Sequence, residues 1–300
     1  MEISGRRSPK AFFVREARPK RLRESTWKTF ISSPVALLGT AVVLLVILFS
    51  YVGPLLYPTD QIHTNLDQVR LAPSGRFPLG TDDLGYNVLG RLMAGGRASI
   101  DVGIAAALLA SAAGTLYGAI SGFVGGAVDA MMMRVVDALI AVPALLLLLL
   151  LASMFTPTLF VMIVAIALIS WVIPARLVRG ETIALRSREF IEASVGAGAG
   201  MWRVIFKHVI PNVAGVVVVQ ATFQVADAIL LLAALSFLGL GPPPPATNWG
   251  SMLNQGLNYA YANDWWLIYP AGIAIIITVV AFNLLGDALR DSLEVRLQRR

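Results

Sequence analysis

The segment VVDALIAVPALLLLLLLASMFTPTLFVMIVAIALISWVIPARLV, residues 135–178, decides the architecture. A bilayer core about 30 Å thick is crossed by about 20 apolar residues in a helix, so this stretch is too long for one crossing. Pro157, in Met154-Phe155-Thr156-Pro157, cannot sit inside a continuous helix, and it splits the stretch into runs 135–154 and 158–178 joined by a tight hairpin. Outward from this pair, residues 35–57, 100–124, 213–235 and 268–286 are apolar and long enough to span. The sequence therefore predicts an all-α, polytopic membrane protein with six transmembrane helices.

Composition agrees. Of the 300 residues 57% are hydrophobic and 14% charged, whereas a soluble domain carries about 25% charged residues. The absence of cysteine excludes disulfides, thiolate metal sites and iron–sulfur clusters. Two histidines, His63 and His208, lie far apart, so no metal site is expected. Nothing in the pattern points to nucleic acid.

The net charge of +6 matters less than where its 24 basic residues sit. Twenty fall in the segment before the first span, in the loops after the second and fourth spans, and in the segment after the last. The four on the other side are Arg70, Arg76, Arg91 and Arg97. Positive charge stays inside, so both termini are expected in the cytoplasm. The expected organisation is a basic tail (1–33), a first span (34–57), an external segment (58–99), a core of five spans (100–287) and a cytoplasmic tail (288–300). The first apolar run reads as an uncleaved anchor rather than a signal peptide, being long, preceded by more than thirty residues and lacking a small-x-small cleavage site. Trp265, Trp266 and Tyr269 read as an interfacial belt, and the prolines of 242–245 as a stiff extended stop after the fifth span.

Gly114, Gly118 and Gly122 leave one face of the second span bare, which favours close helix packing. Gln220, Gln224 and Asp227 share a face of the fifth span, either as the lining of a wet pathway or as an interhelical hydrogen-bond cluster. Asp101, Asp137 and Asp287 lie near span ends, and Asp129 and Arg134 read as ordinary inner-loop charges. None of the lysines (Lys10, Lys20, Lys28, Lys207) follows a glycine, so no phosphate-binding loop of the ATPase type is present. No Ser, His and acid constellation suggests a hydrolase. An active transporter built on this chain would take its motor from another polypeptide.

The inner loop 176–211 reads as a short helix ended by a left-handed turn at Gly198, then an amphipathic stretch with Met201, Ile205 and Val209 on one face and Trp202 and Phe206 beside them. Arg203 and Lys207 point elsewhere, and Pro211 opens the next span. Docking to a partner and resting on anionic lipid head groups are both compatible with this pattern.

Within that loop, EASVGAGAGMWRVIFKHVIP (192–211) resembles the EAA loop of ABC-importer permeases, with Glu192, Ala193, Gly198 and Pro211 in the matching positions and Ser194 for the second Ala. FPLGTDDLGYNVLGRLMAGGRAS (77–99), ALSFLGLGPPPPATNWGSML (234–253) and AFNLLGDALRDSL (281–293) narrow the resemblance to the DppC/OppC-like subunit of the peptide and nickel importer branch, over residues 33–293.

The resemblance implies the type I ABC-importer permease fold in a bacterial or archaeal cell membrane. It also implies a second related permease, two ATPase subunits that bind ATP and Mg, and an extracytoplasmic solute-binding protein. The chain itself would be non-catalytic and without cofactor. Residues 189–200, with Glu189, would form a coupling helix: Glu192 for polar contact, Ala193 and Ser194 for close docking, Gly198 for the turn. His208 and Lys207 would be structural at the head-group level. Two departures stand out: Tyr86 and Asn87 replace Arg and Asp, and Leu232 replaces a Glu. Peptides are the expected substrate. A stand-alone channel or ion-coupled carrier using Asp227, and a sensor or scaffold, are the competing readings.

Overall fold

A computed structural model describes residues 30–298; most of the basic tail, and Arg299 and Arg300, lie outside the described residues. Among the described residues four helices are long and apolar enough to cross a membrane, Pro34–Tyr51 (α1), Val88–Val124 (α2), the rod Met201–Leu240 and Trp265–Leu293. Two bent pairs meet the same test when each is taken as one span, giving up to six. The first pair is Gly126–Ile140 (α3) with Ala144–Met154 (α4), the second Leu159–Ser170 (α5) with Val172–Arg186 (α6). Then come Glu189–Gly196 (α7), the rod Met201–Leu240 (α8), Trp249–Leu257 (α9) and Tyr269–Gln298 (α10).

Several elements differ from the sequence expectation. The second span starts twelve residues early, at Val88, because the Asn87 side chain accepts from the Gly90 N–H at 3.2 Å and opens the helix there. Hydropathy misses this turn because it carries Arg91 and Arg97 and the glycines between them. The third span is not straight: α3 and α4 meet at 83° around Ala141-Val142-Pro143. Pro143 would clash with the carbonyl four residues back, so the chain turns and restarts with Pro143 as N-cap. The fourth span bends by 40° at Trp171, three residues before Pro174. The amphipathic stretch after Gly200 is continuous with the span that follows, forming the first part of the α8 rod. Its π-helical turn, Ile205–Val209, precedes Pro211, where the wider turn admits a residue without a backbone donor. Residues 288–298 continue α10 as helix.

The buried apolar residues fall into several clusters. Near the outer side, Val88, Leu92, Trp249, Met252, Trp266, Leu267, Ala271 and Ile275 form one buried cluster. Trp266 belongs to it: its ring is buried and its Nε1–H donates to the Thr81 carbonyl at 3.3 Å, so only Trp265 and Tyr269 of the expected belt are exposed. The proline run turns at Pro244-Pro245 rather than extending, and it presents the Pro245 carbonyl to Arg91 at 2.7 Å. Arg91 is 1% exposed and lies 4.2 Å from the centre of the Tyr86 ring, with Asp82 3.4 Å from its Nε. Burial pushes the Asp82 carboxyl up, against the opposing pull of the Tyr86 N–H, the Arg91 charge and the Leu84 N–H. Of the first departure, Tyr86 thus gives the buried guanidinium an aromatic face, and Asn87 caps α2. Leu232 is buried with Val102, Leu148, Met162 and Leu235, where a carboxylate would have no place.

Candidate functional site

On the inner side α7 follows α6 after only Ser187 and an extended Arg188. Glu189 and Glu192 occupy the first turn of α7, where their charge complements the helix N-terminus. Ala197 caps the helix and Gly198 takes φ +85°, a left-handed conformation that favours glycine. The helix is exposed except for the half-buried Ser194 and the buried Ile191, which enters a core built by Ala119, Val178, Val204, Ile205, Val209 and Val213. α7 is therefore a peg in the shared core of α2, α6 and α8, with Glu192, Ala193 and Val195 outside. Ser194 Oγ lies 3.4 Å from His208 Nε2, and the Phe190 and His208 rings are 6.2 Å apart, so α7 is also tied to the π-helical turn. Trp202 and Phe206 stack on each other but face outward, 52% and 58% exposed. Together with Phe190 and Val195 they leave several large apolar residues uncovered beside α7.

Gly114, Gly118 and Gly122 form a seam against the α5–α6 segment of the same chain. A Cβ at these positions would stand 2.5 Å from the Trp171 carbonyl, 2.2 Å from that of Ala175 and 2.7 Å from that of Arg179. Both series rise in steps of four, so the two helices run in parallel with backbone against backbone. The seam ends in a charge cluster: Arg179 Nε and Nη2 donate to the two oxygens of Asp129 at 2.5 and 2.6 Å, and Ser121 Oγ donates to Asp129 Oδ1 at 2.5 Å. Arg176 and Asp137 pair at 2.5 Å further along α3. Asp129 is thus not an ordinary loop charge but the clamp that holds α3 to α6 and α2. The sequence carries a signal, since Asp129 and Asp137 lie eight apart on α3 and Arg176 and Arg179 three apart on α6, but nothing in hydropathy pairs the two helices.

At membrane depth Gln224 points into the bundle. Its Oε1 accepts from Ser111 Oγ and its Nε2 donates to the Ser170 carbonyl, both at 2.7 Å. Pro174, four residues on, has no N–H for that carbonyl, so Gln224 supplies the donor the bend removes. Asp227, one turn outward on α8, faces a cavity of about 850 Å³ instead. The walls are the α3–α4 bend at Pro143, the α5–α6 bend with Arg176, and Gln224, Asp227, Leu230 and Leu231 of α8. Gln220 is half-buried and not among the lining residues. No cluster able to hold a metal ion occurs among the described residues.

Comparison with known proteins fits this architecture. Residues 114–299 match the family of binding-protein-dependent transport system inner membrane components, and residues 22–73 match the N-terminal transmembrane domain of oligopeptide transport permease C. The chain is 40% identical over 279 residues to the oligopeptide transport system permease protein OppC of Bacillus subtilis, covering 92% of this chain and 91% of that one. It is 39% identical over 282 residues to OppC of Salmonella typhimurium, covering 93% of each. The dipeptide transport system permease protein DppC of Bacillus subtilis is 37% identical over 276 residues, 92% of this chain and 86% of its own. The chain belongs to the binding-protein-dependent transport system inner membrane component family: it is a multi-pass, non-catalytic permease subunit of an ABC importer of the bacterial inner membrane, working with an ATPase and a binding protein.

Proposed function

We propose that this permease imports di- or oligopeptides, pairs with a second, related permease to form the path, and couples to one of two ATPase subunits through α7. The relatives named above are peptide permeases, and the observation that carries the coupling is the peg geometry of α7. An exposed helix whose single buried residue enters the core shared by α2, α6 and α8 can displace all three when it is pushed. A ligand shifts a conformational equilibrium only through differential affinity for the two states, so ATPase closure must hold α7 differently before and after. In this reading Glu189 and Glu192 meet the ATPase, Ala193 and Ser194 allow close approach, Gly198 sets the turn, and Pro211 follows the π-helical turn of the rod to which α7 is tied. The 850 Å³ cavity with Asp227 is part of the path. Gln224 is a brace as well as a lining residue, and Gln220 lies off the path.

The test is charge reversal in the whole transporter. Glu192→Lys is expected to abolish uptake while the complex still assembles, and Asp227→Asn to lower uptake less. The reverse order would favour an ion-coupled carrier and end the coupling assignment.

A further inference from the structure

The cavity described above holds one charge that nothing among the described residues neutralises. Asp227 is exposed on the α8 wall, and its carboxylate has no ion pair or hydrogen bond among the described residues. Its possible partners are already engaged. Arg176, the other charged residue lining the cavity, is held by Asp137 at 2.5 Å. Both polar ends of Gln224 are taken, by Ser111 and by the Ser170 carbonyl. The nearest basic groups along the rod, Lys207 and His208, lie about 28 to 30 Å away at 1.5 Å per residue. The rest of the wall is mostly apolar, including Leu139, Pro143, Leu147, Ile173 and Leu230.

A carboxylate at this depth is costly and marks a function by default. The cavity volume falls within the range of about 300–1,000 Å³ typical of small-molecule sites, which are mainly apolar with a few polar groups that fix orientation. An apolar chamber with one uncompensated negative charge suits a solute with an apolar body and a cationic end. We propose that Asp227 is the subsite for the ammonium end of the transported peptide, receiving it as the solute passes between the two bends and leaving the apolar walls to accept varied side chains. A single charged contact also allows release. This rests on the reading of the cavity as part of the path.

The experiment uses the complete transporter in proteoliposomes with saturating binding protein and tri-alanine as solute. The chain has no cysteine, so Asp227→Cys introduces its only thiol, and mass spectrometry of this chain reports reaction with a water-soluble cationic methanethiosulfonate. Reaction with the thiol, and protection by tri-alanine, are expected. Asp227→Asn should slow tri-alanine uptake about tenfold or more, the size of a lost charge-assisted contact, and Asp227→Glu should recover most of the rate. If the thiol reacts and is protected while Asp227→Asn transports at the parental rate, the path stands and the ammonium subsite is overturned. A thiol that stays unreactive through the whole ATP cycle overturns both, whatever Asp227→Asn does, because the carboxylate is then covered by the second permease.

Discussion

Two faces of one helix behave in opposite ways. Toward α2, α6 and the turn before it lie backbone against backbone over about two turns, with glycines admitting the carbonyls of Trp171, Ala175 and Arg179. Toward α3, α4 and α8, the same helix lines an open cavity with Val172, Ile173 and Leu177. The closed face comes from removed side chains, the open face from two prolines that bend neighbouring segments away. α7 follows α6 directly, so a force on it moves a helix packed tightly along one side and, beyond its ion pairs to α3, open on the other. Displacement of α2 with α6, and a change in the cavity wall, are the response this asymmetry favours.

The largest expected effect comes from filling the seam. Gly118→Leu puts a side chain where a Cβ alone would be 2.2 Å from a carbonyl oxygen, and it should cost at least about 3 kcal/mol or prevent assembly. Thermal unfolding of the purified complex measures it. Gly180 sits on α6 with open space around it, and Gly180→Ala should instead stabilise by up to about 1 kcal/mol. Equal effects at the two positions would erase the distinction between the faces.

The clamp comes next. Asp129→Ala leaves Arg179 without its bidentate partner; the pair is only partly shielded, with side chains 14% and 32% exposed, so a loss of about 2 kcal/mol is expected rather than that of a fully buried pair. Exchanging the charges, Asp129→Arg with Arg179→Asp, should recover part of the stability and of the ATP-driven uptake. Recovery of neither would mean that the geometry, not the pairing, holds α3.

The brace at the bend gives a smaller effect with a sharper signature. Gln224→Leu strands the Ser170 carbonyl and the Ser111 hydroxyl and should cost about 1–3 kcal/mol. Adding Pro174→Ala returns a backbone donor to Ser170, so the double variant should be more stable than Gln224→Leu alone. A further loss instead would show that the carbonyl needs the side-chain donor even when a backbone donor is offered.

The smallest effect lies on the outer surface, away from both faces. Asp60 accepts from the Ile62 and His63 N–H groups at 2.9 and 3.1 Å, and these bonds, with His63, lower its pKa to about 2. A carboxyl depressed on folding adds stability that is present above its unfolded value near 4 and lost as pH falls through about 2. Amide exchange at Ile62 and His63 should accelerate in that window, with the seam unaffected.

The sequence disclosed what depends on hydropathy and on local chemistry. Long apolar runs placed the spans, Gly198 sits where a left-handed turn is needed, and the four-residue glycine spacing marked a face able to pack closely. What stayed hidden depends on pairing between distant segments. Asp129 reads as a loop charge until α6 brings Arg179 to it. Gln224 reads as one of three polar residues on a stripe until Pro174 leaves a carbonyl in need of a donor. The stripe itself divides, with Gln224 turned inward and Asp227 toward the cavity, because its residues are about 100° apart per step and only neighbours decide which faces are filled. The bends at Pro143 and Pro174 had visible causes, but their angles come from packing.

The buried Arg91 has a consequence for biogenesis. Its acceptor at Pro245 lies 154 residues later in the chain, and nearby the contacts between Trp249 and Leu92, Thr81 and Trp266, and Arg70 and Asp264 span 157, 185 and 194 residues. Spans emerge from the ribosome in order, so the first external segment must wait at the outer rim, with a guanidinium lacking its carbonyl, until nearly the whole polypeptide has been made. The outer cap is then the last part to close, and a chain stopped before Pro245 would carry that guanidinium without its carbonyl, a mark by which quality-control proteases could tell unfinished subunits from finished ones.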